Sequence, residues 1–458
     1  MQSLERWFGV REAGSSLRRE VAGGAATFVA MAYIVVVNPA ILAFAGLPTG
    51  PSTIATILTA TFGTLLMGLW ANRPIAVAPY MGENAFLAFG LAALHVTWEQ
   101  RLATVFVAGV AFLAVAAAGI GPWLARAIPT SLKHAFAVGI GLFLVLVGLY
   151  EAGIVTSGAA GQPASALADA SGLLRAPPAA LRLGDVRDGR VLLAIEGFLL
   201  VVVLQARRVR GAILLAMAAV AVAGRLAGLG EAPTAVFAWP FGRDPGLSAI
   251  ALHLDVPGVL SIAFLPVLLT LLLVSFLDTV GTLVGLGAAG DLLDERGDFP
   301  EIERPMVVNA LSCIAGAALG TSTSGAFIES AVGIREGART GLASVVTAAL
   351  FGATLFLLPL VEPLQKLAYV YAPALVAVGI AMLPAVRGID FDDPTELAPA
   401  VVAIAMMAFS YNVANGLVAG LLLHPLLKLA TGRVSETTAG GWLLAAVCAF
   451  YVAFGLPH

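Results

Sequence analysis

Leu273-Val274-Ser275-Phe276-Leu277-Asp278-Thr279-Val280-Gly281-Thr282-Leu283-Val284-Gly285 sets one carboxylate inside an otherwise apolar stretch. A second carboxylate follows in Thr321-Ser322-Thr323-Ser324-Gly325-Ala326-Phe327-Ile328-Glu329-Ser330. A charge in a bilayer interior costs about 2.5 kcal/mol or more, so each carboxylate reads as part of a solute or proton site.

The surrounding chain justifies the word bilayer. Of 458 residues, 59% are hydrophobic and 12% charged, and the mean hydropathy is +0.95. Soluble domains carry about a quarter charged residues. Apolar stretches recur at 23–43, 51–70, 77–94, 102–122, 132–150, 191–206, 211–228, 258–289, 306–319, 326–334, 341–362, 369–385, 398–430 and 439–456. The composition predicts an all-α polytopic membrane protein with about 14 membrane segments. Several stretches fall short of the ~20 residues a helix needs to span, which predicts broken or half-crossing elements. The stretch 398–430 is too long for one untilted span and has Ser410-Tyr411-Asn412 in its middle. A hairpin of two short helices there would make 439–456 an extra span or an interfacial helix.

Residues 1–20 are charged and amphipathic and lack the pattern of a cleaved secretory signal. Arg6, Arg11, Arg18 and Arg19 precede the first span, and Arg207, Arg208 and Arg210 fill a short loop. Both regions are expected to be cytoplasmic by the positive-inside rule, with the loop at about 151–190 outside. The expected location is the cytoplasmic membrane, N-terminus inside. Net charge of -3 is uninformative, because placement relative to the lipid bilayer matters more. Cys313 and Cys448 lack metal-ligand spacing and are expected as packed small hydrophobes. No disulfide, metal, cofactor or nucleic-acid partner is expected. His134 and His424 read as interfacial or packed, and His95, His253 and His458 as loop or terminal residues.

Ala137-Val138-Gly139-Ile140 recurs as Ala377-Val378-Gly379-Ile380, an offset of 240. Asn38-Pro39 aligns with Asp278-Thr279 at 240, and Ala85-Phe86 with Ala326-Phe327 at 241. Two homologous halves of about seven segments each would be inverted in the membrane, with a solute site near the midplane between them.

In each half a Gly- and polar-rich segment runs into an apolar helix: Ala78-Pro79-Tyr80-Met81-Gly82-Glu83-Asn84-Ala85-Phe86 and Gly320 through Phe327. Both read as non-helical segments entering half-helices whose free NH groups point inward. Glu83, Asn84, Ser324 and Glu329 are placed to project into a pocket there, while Asp278 and Thr282, four residues apart, share a helix face. Phe86 and Phe327 offer stacking surfaces for a planar ligand. Carboxylates accept from ring NH and amino groups, and an amide both donates and accepts, which suits a nucleobase. A buried carboxylate is also suited to exchanging a proton during a cycle. The plainer alternatives are that Asp278 or Glu329 anchors a broken helix, that Glu83 only favours a helix start, and that Phe86 and Phe327 are core packing. Arg335 and Arg339 read as a cytoplasmic helix end. Gly281, Gly285 and Gly287, with Ala288 and Ala289, thin one side of the Asp278 helix for close packing.

These residues resemble the AzgA-like purine permeases of the nucleobase-cation symporter 2 group. The resemblance runs nearly end to end: Thr27-Phe28, Met31-Ala32-Tyr33-Ile34 and Val37-Asn38-Pro39; Met81-Gly82 with Asn84-Ala85-Phe86; Trp98 with Val105-Phe106 and Gly109. It continues through Phe276 to Gly285, Ile328-Glu329-Ser330, Gly333, and Gly337-Ala338-Arg339-Thr340-Gly341-Leu342.

The resemblance implies a 7+7 inverted repeat with short strands before half-helices 3 and 10, at about 78–83 and 321–326. It implies a cytoplasmic segment 1–22, a core domain in two parts (23–128 and 258–365) and a gate domain in two parts (129–240 and 366–458). It further implies proton-coupled uptake of adenine, guanine or hypoxanthine. Binding and proton coupling would fall on Asp278 and Glu329, and the span-3 asparagine on Asn84. The chain departs from the family at Glu83, where many members carry Leu, and at Phe327, where many carry Tyr. Gly325-Ala326 replace bulkier residues, which implies a site that is roomier or tuned to another purine.

An elevator-like importer of purine nucleobases with a proton is therefore expected, with no enzyme activity, and a homodimer is left open. The rivals are a carrier of the same architecture for uracil, xanthine or an anion, a passive channel, and a membrane-embedded carboxylate hydrolase. A site with two or three acidic groups and no buried Lys or Arg disfavours an anion.

Overall fold

The computed structural model describes residues 2–91, 96–162, 179–230, 233, 235–240, 246–290, 292 and 299–454. His95 and His458 lie outside them. Among the described residues, nine helices are long and apolar enough to cross a membrane, from Leu17–Phe44 to Val413–Ala430. Shorter apolar helices accompany them, Ala212–Leu226 and Pro394–Phe409 among these.

The first of these spans is broken. Helix Leu17–Met31 stops, Ala32 and Tyr33 form a turn, and helix Ile34–Phe44 resumes with Pro39 inside it. Proline has no NH, so the carbonyl four residues before it loses its helical partner. That carbonyl is Val35 O, and it accepts from Gln365 Nε2 at 3.1 Å. A backbone break inside a membrane protein persists only where protein groups satisfy it in this way.

Two short non-helical segments from opposite halves meet directly. Strand β1 (Val77–Pro79) is the first in the chain. Strand β2 (Val155–Ser157) pairs antiparallel with β3 (Leu181–Leu183). Strand β4 (Ser324–Ala326) pairs antiparallel with β1 in the register Val77↔Ala326, Ala78↔Gly325 and Pro79↔Ser324. Tyr80 N donates to Thr323 O at 3.0 Å, and Phe327 N to Ala76 O at 2.9 Å. These two bonds are equivalent under an offset of 247 (323 against 76, 327 against 80).

Both strands occupy less of the chain than expected. β1 ends at Pro79 because Met81–Ala85 is already helical, and β4 begins only at Ser324. The sequence register of 241 for Ala85-Phe86 against Ala326-Phe327 is overturned. Ala85-Phe86 sits within a helix and Ala326-Phe327 at the end of a strand, so the counterpart of Phe327 is Tyr80. Ala and Phe are common enough to match by chance, whereas the ladder fixes the true register.

From β1 the chain enters a half-helix, Met81–Ala85 continued by a wider turn, Phe86–Gly90. From β4 it enters Ser330–Arg335. The outer ends of both are held by arginines. Arg101 donates to Leu87 O, Ala88 O and Val96 O, and Arg339 to Ile334 O and Ala338 O. A cation at a helix C-terminus satisfies free carbonyls and opposes the helix dipole. The paired strands therefore bring the two N-termini together in the interior.

Helices of opposite halves pair antiparallel. Thr130–Glu151 crosses Ala368–Met382 where Gly141 and Gly379 face each other: a Cβ on Gly379 would lie 2.4 Å from Gly141 O. Gly148 meets Ala372 and Val376 further along. Thr49–Leu69 lies against Gly341–Thr354 with Gly68 on Gly341. Only glycine permits backbones to approach this closely.

The 398–430 stretch is a hairpin, Pro394–Phe409 and Val413–Ala430, turning at Tyr411, whose φ is 56°. Asn412 caps the second helix by accepting from Ala414 N at 2.9 Å, and its Nδ2 donates to Gly90 O at 3.0 Å. Helix Ala439–Phe454 follows the hairpin and packs on Val413–Ala430 and on Gly121–Ala127.

At the other end of the hairpin, Lys428 is buried and contacts Asp393 (3.4 Å), Glu396 (2.9 Å) and Glu436 (2.8 Å). Arg433 pairs with Asp393 at 2.7 Å and with Glu436 at 2.6 Å. Hydrogen bonds from Thr395, then Arg433 and the Lys428 charge, hold the Asp393 carboxyl well below the usual carboxylate range. A depressed carboxyl contributes stability above its unfolded pKa of about 3.9 and loses it only as pH falls through the lower folded value. Asp393→Asn is therefore expected to lower the melting temperature of the detergent-solubilised protein equally at about pH 5.5 and about pH 8. A loss confined to one of those pH values would show that this contact titrates in the working range.

Candidate functional site

A cavity of about 1340 Å³ lies between the Asp278 helix, the two half-helices and helices Thr130–Glu151 and Ala368–Met382. That exceeds the usual 300–1,000 Å³ of a small-molecule site because the cavity continues to the surface. Lys133, His134, Arg208, Arg210 and Arg335 line its outer part. Arg210 pairs there with Glu336 across the opening.

Asp278, Thr282, Phe327 and Glu329 stand on the cavity wall. Asp278 and Thr282 are one helical turn apart on Leu265–Ala289, and both are half-buried. Glu329 immediately precedes the Ser330–Arg335 half-helix, and Tyr33 Oη donates to its Oε1 at 2.8 Å. The break at Ala32-Tyr33 puts that phenol in the cavity, and Tyr33 is itself part of the wall.

Glu83, Asn84, Phe86 and Ser324 are buried and are not on this wall. Asn84 Nδ2 donates to Asn38 Oδ1 at 2.6 Å and to Asn38 O at 3.2 Å. Asn38 Nδ2 in turn donates to Thr56 Oγ1 and Thr321 Oγ1, each at 2.8 Å, and its Oδ1 accepts from Ser322 Oγ at 3.3 Å. This hub joins the first span, its neighbour, the half-helix and the segment leading into β4. Phe86 packs under Gly90, whose Cβ, if present, would lie 2.6 Å from the ring. Glu83 is 1% exposed, and neither carboxylate oxygen meets hydrogen-bond geometry with a described residue. Asp278 and the Ser275 hydroxyl lie within its electrostatic reach.

Sequence reasoning missed Tyr33 and Tyr80. Tyr80 lines the cavity, and its ring lies 6.1 Å from that of Phe327 with planes 13° apart. The corrected register of 247 makes these two aromatics equivalent in the two halves, and that equivalence was the available signal.

The cavity floor therefore presents two carboxylates, a hydroxyl and two near-parallel aromatic rings, with Arg208, Arg210 and Arg335 exposed at the rim. It can accept hydrogen bonds from a flat polar solute and stack on its faces. Among the described residues there is no group of three or more His, Cys, Asp or Glu side chains arranged to hold a metal ion.

Comparisons with known proteins define the class first. The fold is that of a multi-pass membrane transporter. The transmembrane domain of the cyanobacterial bicarbonate transporter BicA superposes with a TM-score of 0.61 at 16% identity, over 87% of this chain and 97% of that domain. The SLC26A9 structure superposes at 0.60 and 12% identity, over 91% of this chain and 66% of that one.

The chain belongs to the Permease family (Xan_ur_permease), whose profile matches residues 18–419. A putative permease of Methanocaldococcus jannaschii is 36% identical over 98% of both chains. The adenine permease AdeP of Escherichia coli K12 is 33% identical over 94% of this chain and 92% of its own. The guanine/hypoxanthine permease PbuG of Bacillus subtilis is 34% identical, covering 94% and 96%. The protein is thus a permease and not an enzyme.

Proposed function

We propose that this chain imports a purine nucleobase, adenine, guanine or hypoxanthine, across the cytoplasmic membrane together with a proton. The observation that carries the reading is the floor of the cavity, where Asp278 and Glu329 face a space bounded by the Tyr80 and Phe327 rings. Relatives named as adenine and guanine/hypoxanthine permeases over nearly the full length support it.

In this reading Glu329, oriented by Tyr33, accepts from a ring NH, and Asp278 with Thr282 takes an exocyclic or second ring NH. Phe327 covers one face of the base. Asn84, Ser324 and Phe86 act from behind the wall by holding the half-helices in place. Asp278 exchanges the coupled proton with water in the cavity. The parts at 23–128 and 258–365 move as a core against a gate formed by 129–240 and 366–458, in an elevator-like stroke. The rim arginines lie on the cytoplasmic side by the positive-inside rule, so the conformation described is open inward.

An anion carrier is the second reading, because BicA is titled a bicarbonate transporter. Two carboxylates on the floor would repel such a solute. The test is uptake of labelled adenine, guanine, hypoxanthine and uracil into proteoliposomes, with and without an inward proton gradient. Gradient-dependent accumulation of a purine is expected. Inserted, folded protein that accumulates no base would overturn the reading.

A further inference from the structure

Gly325 lies at the centre of β4, opposite Ala78, with ladder bonds on both sides. A Cβ placed on it would lie 2.2 Å from three atoms of Tyr80: Cε2, Cζ and Oη. No real Cβ tolerates that distance. The strand cannot retreat without breaking the pairing that closes the cavity floor. The volume that a larger residue would take at position 325 is therefore filled by the tyrosine from the other half, and the site is not roomier there, contrary to the expectation from the family pattern.

Tyr80 does more than fill space. It is 7% exposed, and that edge is on the cavity wall. Its hydroxyl lies 3.5 Å from Thr279 Oγ1, at the long limit of a hydrogen bond. It is within electrostatic reach of Asp278, which is on the wall, and of Glu83, which is not. The ring thus stands between the open cavity and buried polar side chains behind its wall. Among these are the Glu83 carboxylate and the Ser324 hydroxyl, none of whose oxygens meets hydrogen-bond geometry with a described residue.

We propose that Tyr80, seated over Gly325, is the size filter of the cavity and decides which substituted purines are admitted. The proposal rests on the reading of the cavity as a purine site. The tyrosine stacks beside Phe327 and fills that end of the floor, so that an unadorned base lies on the cavity side of this ring pair and meets the tyrosine edge. A base with an added bulky group is refused because it meets the tyrosine ring, which packs over Gly325 on one side and beside Phe327 on another. A substituent pressing on a packed wall is worth about 10- to 200-fold in selectivity.

The experiment measures binding to the purified protein by calorimetry, with adenine, hypoxanthine, guanine, N6-benzyladenine and 8-bromoadenine as probes. The proteins are the wild type, Tyr80→Phe, Tyr80→Gly, Gly325→Thr and the Tyr80→Gly/Gly325→Thr double variant. Tyr80→Gly is expected to shrink the preference for adenine over at least one substituted purine by about tenfold or more, while Tyr80→Phe keeps it. Gly325→Thr alone is expected to weaken every purine by about tenfold or more, and the double variant to recover adenine binding, the non-additivity expected of residues in contact. Melting temperatures follow folding in each, and Tyr80→Gly carries the test if Gly325→Thr does not fold.

Discrimination in Tyr80→Gly within about twofold of wild type for every probe would overturn the filter, and so would undiminished binding by folded Gly325→Thr. Folded wild-type protein that binds no purine would overturn the reading of the cavity itself, and the filter with it.

Discussion

Glu329→Gln is expected to weaken purine binding by about 100-fold, with expression and melting temperature retained. Tyr33 already occupies one oxygen of Glu329 at 2.8 Å, so the other lone pairs face the cavity. The amide keeps one acceptor, which Tyr33 can still satisfy, and turns the other oxygen into a donor that opposes a ring NH. Hydrogen bonds to a charged group are worth about 1.5–3 kcal/mol, and leaving a buried donor unpaired adds to the cost. Tyr33→Phe should cost less, about fivefold, because it removes an orienting bond and leaves the carboxylate. Calorimetry on both variants checks the order, and wild-type affinity in Glu329→Gln would remove this residue from the site.

Asp278→Asn is expected to abolish the dependence of uptake on an inward proton gradient while exchange of internal for external base persists. Asp278 is the carboxyl that touches both the cavity and, electrostatically, the sealed Glu83. Proton symport requires Asp278 to take a proton outside with the base, cross loaded and neutral, release both inside, and return empty and ionised. The asparagine is neutral in every state and offers nothing to titrate. Proteoliposomes assayed for net uptake and for counterflow separate the two outcomes. Gradient-driven accumulation by Asp278→Asn would place the coupled proton elsewhere. The Asp393 contact does not confuse that assay, since its carboxyl stays ionised across the same pH range.

Asp278, Thr282, Phe327 and Glu329 were legible in the sequence because a polar residue in an apolar stretch is conspicuous, and Pro79, Gly82 and Gly325 announced the breaks beside them. The hairpin at Ser410-Tyr411-Asn412 was legible for the same reason. Tyr33 was not, because the turn at Ala32-Tyr33 contains neither Gly nor Pro and is held by tertiary contacts. Asn84 drew attention as a ligand although it is buried off the cavity wall with its amide nitrogen bonded to Asn38, a partner 46 residues away that local pattern cannot supply. Tyr80 was hidden by a register six residues out. One Ala-Phe match outweighed the turn geometry that relates it to Phe327.

The ladder between β1 and β4 also bears on biosynthesis. Ala76 and Tyr80 are made long before Phe327 and Thr323, their backbone partners. Thr64 of the first half already serves the NH and carbonyl of Val77, but lipid offers nothing to the backbone groups that wait for β4, so until the second half arrives these are unsuited to the hydrocarbon layer. The nascent first half must therefore hold them at a watery or chaperoned boundary. Pairing of the two strands and closing of the cavity floor are then one event, and a chain that stops before β4 has no floor.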